Sequence, residues 1–152
     1  MKNYKEAWKE KYPSVLFDNR DINFRTSVRQ CKLFIVDHLS TTWLEALIIG
    51  VPTIIFIDKD QYDFTAEFQE VISMLHSVSI LHYSTESAAK EVSAINYDVS
   101  AWWRDRHRAN ILQKALNKIV VKSEHLAFDW SKELKKVSKK KCYPTARNSL
   151  FQ

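Results

Sequence analysis

Residues 31–58 read CKLFIVDHLSTTWLEALIIGVPTIIFID, and this stretch decides the fold. Leu33-Phe34-Ile35-Val36 is a continuous apolar run, the pattern of a strand buried on both faces. It ends in the polar segment Asp37-His38-Leu39-Ser40. Thr41 to Ile49 reads as a helix with Trp43, Leu44, Leu47 and Ile48 turned inward, and Gly50 is placed to stop it. Val51-Pro52 then leads into a second apolar run, Thr53 to Ile57. Strand, helix and strand joined by short loops make a βαβ unit, which requires parallel strands.

The rest of the chain extends this unit in both directions. Residues 2–11 have helical composition up to Tyr12-Pro13, where the proline disfavours helix before it. Ser14 to Phe17 is expected to form a short strand, and Thr26 to Cys31 a short helix. Downstream, Phe64 to Leu75 carries apolar residues at helical spacing, and Val78 to Leu81 reads as a third parallel strand. Ser84-Thr85 caps a helix from Glu86 to Ile95, and one long helix is expected over Ser100 to Val121. The fold class is therefore α/β: a Rossmann-like three-layer α/β/α domain with a parallel sheet over residues 1–121. Residues 122–152 are expected to form a C-terminal helix and a basic tail.

Composition excludes several chemistries. The chain of 152 residues has one glycine, so a GxGxxG dinucleotide loop, a GxxxxGK[ST] phosphate loop and a GxSxG nucleophile elbow are all ruled out. Any phosphate must be held by a helix N-terminus and hydroxyl side chains. Cys31 and Cys142 lie far apart without CxxC spacing, so both are read as free thiols. His76, His82, His107 and His125 show no metal-ligand spacing. No apolar run reaches the roughly 18 residues of a membrane span, and Lys2, Lys5 and Lys9 precede no signal-type stretch. The expected location is the cytoplasm. The net charge of +5 is concentrated in Lys132 to Lys141, where six lysines face Glu133 alone. With few interleaved aromatics, that stretch reads as a solvated end rather than a nucleic-acid surface. Peripheral contact with the inner membrane through Lys135–Lys141 stays open.

In open parallel sheets, ligands bind outside the carboxyl ends of the strands. That edge would carry Asp37, His38, Ser40, Thr41 and Thr42 after one strand, and Asp58, Asp60, Gln61 and Tyr62 after the next. Ser40, Thr41 and Thr42 stand where a helix begins, so backbone N–H groups, hydroxyls and the helix dipole would favour an anion together. Spacing alone leaves the alternative that Ser40 or Thr41 is an N-cap only, with Glu45 in solvent.

The stretch 31–58 resembles the C-terminal domain of GT-B glycosyltransferases and related CDP-glycerol glycerophosphotransferases. The later string ESAAKEVSAINYDVSAWWRD (86–105) is similar to a group of bacterial surface-polysaccharide transferases. Their Asp-Val-x-x-Trp-Trp is matched by Asp98, Val99, Trp102 and Trp103. The resemblance implies that Ser40, Thr41 and Thr42 hold the diphosphate of a nucleotide-sugar or CDP-linked donor, with Asp37 and His38 lining the same loop. Glu45 would reach the ribose hydroxyls. It implies no metal and no cofactor, and an acceptor-binding N-terminal domain supplied from outside this chain. No catalytic residue is assigned; His38 is the candidate proton acceptor. Two other readings stand beside this one: a non-catalytic nucleotide-binding or interaction module of the same fold, and an adaptor working through the basic tail. Apolar surface left by the absent domain further predicts self-association.

Overall fold

The computed structural model describes residues 4–18, 21–120 and 123–139. Three parallel strands, β1 (Phe34–Val36), β2 (Thr53–Phe56) and β3 (Leu81–His82), lie in the order β1-β2-β3. Ile35 is in register with Ile54, and Ile55 with Leu81. Because successive strand residues face opposite sides, the sheet has two cores. Val36 and Ile55 meet Trp43 and Leu47 of helix α3 (Thr41–Ile49), Val71, Ile72 and Leu75 of α4 (Ala66–Ser77), and Ala115 of α7 (Arg106–Ile119). Ile54 on the other face meets Ala88 and Ile95 of α5 (Thr85–Ile95), with Val99 and Trp102 of α6 (Val99–Arg104) beside them. The result is the expected Rossmann-like α/β/α layering around a small sheet. Full burial of residues such as Ile54, Ile55, Ile72 and Leu75 contributes about 1.5–3 kcal/mol each before chain entropy is counted.

Two short helices precede the sheet, α1 (Tyr4–Lys11) and α2 (Phe24–Val28); α2 packs Val28 against Ala46 and Val51. The final helix is α8 (Leu126–Lys139). Lys140, Lys141, Cys142 and Tyr143 of the basic tail lie outside the described residues. Among the described residues no helix is long and apolar enough to cross a membrane.

Several local expectations are corrected. Ser14 to Phe17 forms no strand, and the short helix begins at Phe24 rather than Thr26. The run at Leu33–Val36 is not buried on both faces: β1 is an edge strand, α5 packs on β2 and β3, and Ile35 remains 46% exposed. Ile48 is likewise outside the core, its place taken by Ala46. The third strand starts late because Ser79 occupies the left-handed region, φ 57°, and keeps Val78 and Ser79 in a turn. The expected long helix is two helices. Asp105 leaves the helical conformation between them (φ −52°, ψ 127°), and its carboxylate accepts from the Arg108 N–H at 2.8 Å, capping α7.

Polar pins hold α6 and α7 to α5, to the end of α3 and to the turn before β3. Trp102 Nε1–H donates to Glu91 at 2.7 Å, and Trp103 Nε1–H donates to the Gly50 carbonyl at 3.0 Å. Arg108 donates through Nε to the Val78 carbonyl at 2.9 Å and through Nη1 to the Trp102 carbonyl. Its guanidinium lies 4.3 Å from the Trp102 ring centroid, and burial lowers its pKa.

Gly50 ends α3 with φ 85°, its N–H shared between the carbonyls of Ala46 and Leu47. A Cβ there would meet nothing within 4 Å. Gly50→Ala should therefore destabilise by about 1 kcal/mol through backbone conformation alone, read as a shifted urea midpoint with an unchanged slope. A much larger loss would mean that the turn is held by contacts as well.

Candidate functional site

The carboxyl end of β1 and the head of α3 bring together five of the six candidate residues. Asp37 and His38 are both exposed, and His38 Nδ1–H donates to Asp37 Oδ1 at 2.7 Å. That hydrogen bond holds the Asp37 carboxyl below its ordinary value, against a smaller opposing effect of burial. It also assigns the imidazole proton. With Nδ1–H committed to the carboxylate, a neutral His38 presents its Nε2 lone pair away from the pair.

Ser40 is the N-cap of α3, in extended conformation (φ −93°, ψ −176°), but its side chain caps nothing. Instead Ser40 Oγ and Thr42 Oγ1 share a hydrogen bond of 2.7 Å across the head of the helix. Contrast the caps of α4, α5, α6 and α7, where Thr65, Ser84, Asp98 and Asp105 each accept from a first-turn N–H. The amides opening α3 receive no such side-chain acceptor from Ser40, and Thr41 beside them is exposed. The N-cap-only reading of Ser40 therefore lacks the hydrogen bond that defines it.

Glu45, one turn further along, is engaged elsewhere: Arg25 Nε–H of α2 donates to it at 2.9 Å. Such a partly exposed pair contributes about 1 kcal/mol or less. It ties α2 to α3, so an approach to ribose hydroxyls would share Glu45 with Arg25.

The loop after β2 frames the site from the other side. Asp58 accepts from the Asp60 N–H and from Gln61 Nε2, both at 3.1 Å, and so shapes the 3₁₀ turn Lys59–Gln61. Tyr62 Oη accepts from the Leu39 N–H at 3.2 Å, joining the two loops. The Tyr62 ring stacks on Phe64 at 5.5 Å, Phe64 meets Phe68, and Phe68 meets Trp43. These aromatics and Leu39, Ser40, Thr41 and Leu44 line a cavity of about 450 Å³. A second cavity of about 370 Å³, beyond Asp37, is lined by Asp58, Gln61, Tyr83, Ser84, Thr85 and Glu86. The head of α3 thus stands between an aromatic hollow and a polar, acidic one. Tyr62 as a bridge was not singled out in the sequence. The spacing of Tyr62, Phe64 and Phe68 was its available signal.

The remaining histidines serve the fold where the structure engages them. His82 is 4% exposed, donates from Nε2 to the Ser79 carbonyl at 3.0 Å, and accepts the Ser87 hydroxyl at Nδ1, 2.8 Å. Burial lowers its pKa, so the buried ring is neutral. His76 Nδ1–H donates to the Leu81 carbonyl at 2.9 Å. Among the described residues no group of three or more His, Cys, Asp or Glu could hold a metal ion. Cys31 is a free, exposed thiol.

No curated protein and no solved structure matches the chain. A family model does match, described as LIC12162 family transferase, over residues 2–134.

Proposed function

We propose that this chain, which belongs to the LIC12162 family of transferases, is the donor-binding half of a GT-B-like transferase. It would move a sugar or glycerol-phosphate unit from a nucleotide-activated donor to a cell-surface glycan. The observation that carries the reading is the head of α3, where the N-cap side chain leaves the opening amides without a cap and Ser40, Thr41 and Thr42 cluster at the carboxyl edge of a parallel sheet. A diphosphate placed there would accept from the first-turn amides and from the hydroxyls, and the helix dipole would stabilise the charge that grows on it as the bond to the transferred group breaks.

His38 is positioned to take a proton in this scheme. Asp37 fixes its tautomer and orientation, which leaves Nε2 as the basic atom. The acceptor would be presented by a domain from outside this chain, across the face that carries Asp37 to Thr42. Glu45 would meet the ribose while still accepting from Arg25.

Calorimetric titration of the chain with CMP, CDP, UDP and GDP tests the reading. One of these nucleotides should bind, with the diphosphates ahead of the monophosphate of the same base. Ser40→Ala/Thr41→Ala should weaken that binding about tenfold or more, since hydroxyl donors to a charged phosphate contribute about 1.5–3 kcal/mol each. Binding by none of them, or binding indifferent to the double substitution, would overturn the proposal.

A further inference from the structure

α8 is unlike the other long helices of the chain. Every described side chain from Ala127 to Lys136 is exposed, including Trp130 at 61% and Leu134 at 60%. Ala127, Trp130 and Leu134 recur at spacings of three and four, which puts them in one stripe along the helix. With Ser131 and the Lys135 stem they border a shallow hollow formed by α8 alone. Phe128 is also exposed but lies outside the stripe. The opposite side carries Lys132 and Lys136, and the sequence beyond Lys139 continues with two more lysines. Against these cations, α8 contains only Asp129 and Glu133 as acids, and Glu133 is paired with Lys136.

We propose that α8 is an interfacial helix that lies on an anionic lipid surface, with Ala127, Trp130 and Leu134 entering the headgroup–acyl boundary. An apolar stripe with a tryptophan, backed by lysines, matches a surface that offers hydrocarbon below and negative charge above. Lysine stems can lie along the apolar boundary while their ammonium groups reach the phosphates. A second copy of the chain could cover the stripe but brings no added negative charge to the lysine side, whereas an anionic surface meets stripe and lysines together. A nucleic acid would engage the lysines and leave the stripe in water. The inference does not rest on the donor site, so the two proposals can fail separately.

Co-sedimentation of the full chain with vesicles tests it. Vesicles of phosphatidylcholine with phosphatidylglycerol should bind the chain, phosphatidylcholine alone should bind it far more weakly, and added salt should release it. Trp130→Ser/Leu134→Ser should lower partitioning about tenfold or more. Lys132→Gln and Lys135→Gln should each lower it about fivefold. All four residues are exposed, so circular dichroism should show an intact fold in every variant. Equal partitioning to both vesicle types, or to neither, overturns the proposal. So does binding that the lysine changes weaken but the Trp130/Leu134 change does not, which would mark simple charge attraction. Self-association abolished by Trp130→Ser/Leu134→Ser, without vesicle binding, would assign the stripe to a second copy instead.

Discussion

Ser40→Asp is expected to leave the fold standing and to lower nucleotide diphosphate affinity by more than about a hundredfold. The two halves of this result have one cause. Ser40 is an N-cap whose hydroxyl is spent on Thr42 rather than on the helix. An aspartate there can accept from the opening amides and interact favourably with the dipole, as N-cap aspartates do. Thermal stability should hold or rise by a few degrees, for a cap contributes about 0.5–1 kcal/mol. The same carboxylate would stand in the place proposed for the diphosphate. Two like charges about 4 Å apart at an effective dielectric near 20 repel by ~4 kcal/mol, more than the ~2.7 kcal/mol a hundredfold loss requires. Unchanged binding, in a variant shown to be folded, would place the phosphates elsewhere on the molecule. Loss of both fold and binding would show instead that the Ser40–Thr42 hydrogen bond is structural.

The largest effect on stability is expected at Arg108. One guanidinium joins the carbonyl before β3, the carbonyl at the end of α6 and the face of Trp102. Arg108→Met keeps much of the packed stem but removes all three interactions and leaves the Val78 and Trp102 carbonyls without this donor. The expected cost is about 2–4 kcal/mol, a fall in melting temperature of roughly 5–15 °C for a domain of this size. Arg108→Lys should recover little, because a single ammonium lacks the planar fork that serves two carbonyls. Thermal denaturation followed by circular dichroism decides it. A shift below about 2 °C in Arg108→Met would mean that the helices are held by their apolar faces alone.

What sequence could tell about this molecule divides along physical lines. The βαβ unit is legible because its two apolar runs and Gly50 act locally: each residue's neighbours in the chain determine its conformation. The break at Asp105 is not, since apolar residues continue at helical spacing on both sides and the cap competes with helix propagation at a single residue. Ile35 shows the same limit in another form, for composition marks a strand as apolar without saying whether a helix covers both its faces. At the site, the Ser40–Thr42 cluster follows from its position between strand and helix. The Asp37–His38 hydrogen bond depends on the orientation of adjacent side chains. The pairing of Glu45 with Arg25 depends on how α2 rests on α3. Contacts of that kind are properties of packing, and no spacing rule announces them.

The strand order has a consequence for how the molecule is made. Each strand pairs with the one that follows it in the chain, so β1 need not wait for a distant segment to arrive. Parallel sheets whose central strand comes late must keep early strands exposed until long loops close, which slows folding and invites aggregation. Here a segment emerging during synthesis can complete β1, α3 and β2 as one unit, then add α4 and β3 by short connections. The later helices can then dock onto a sheet already paired, and Arg108, reaching back to Val78, ties α7 to the turn before β3.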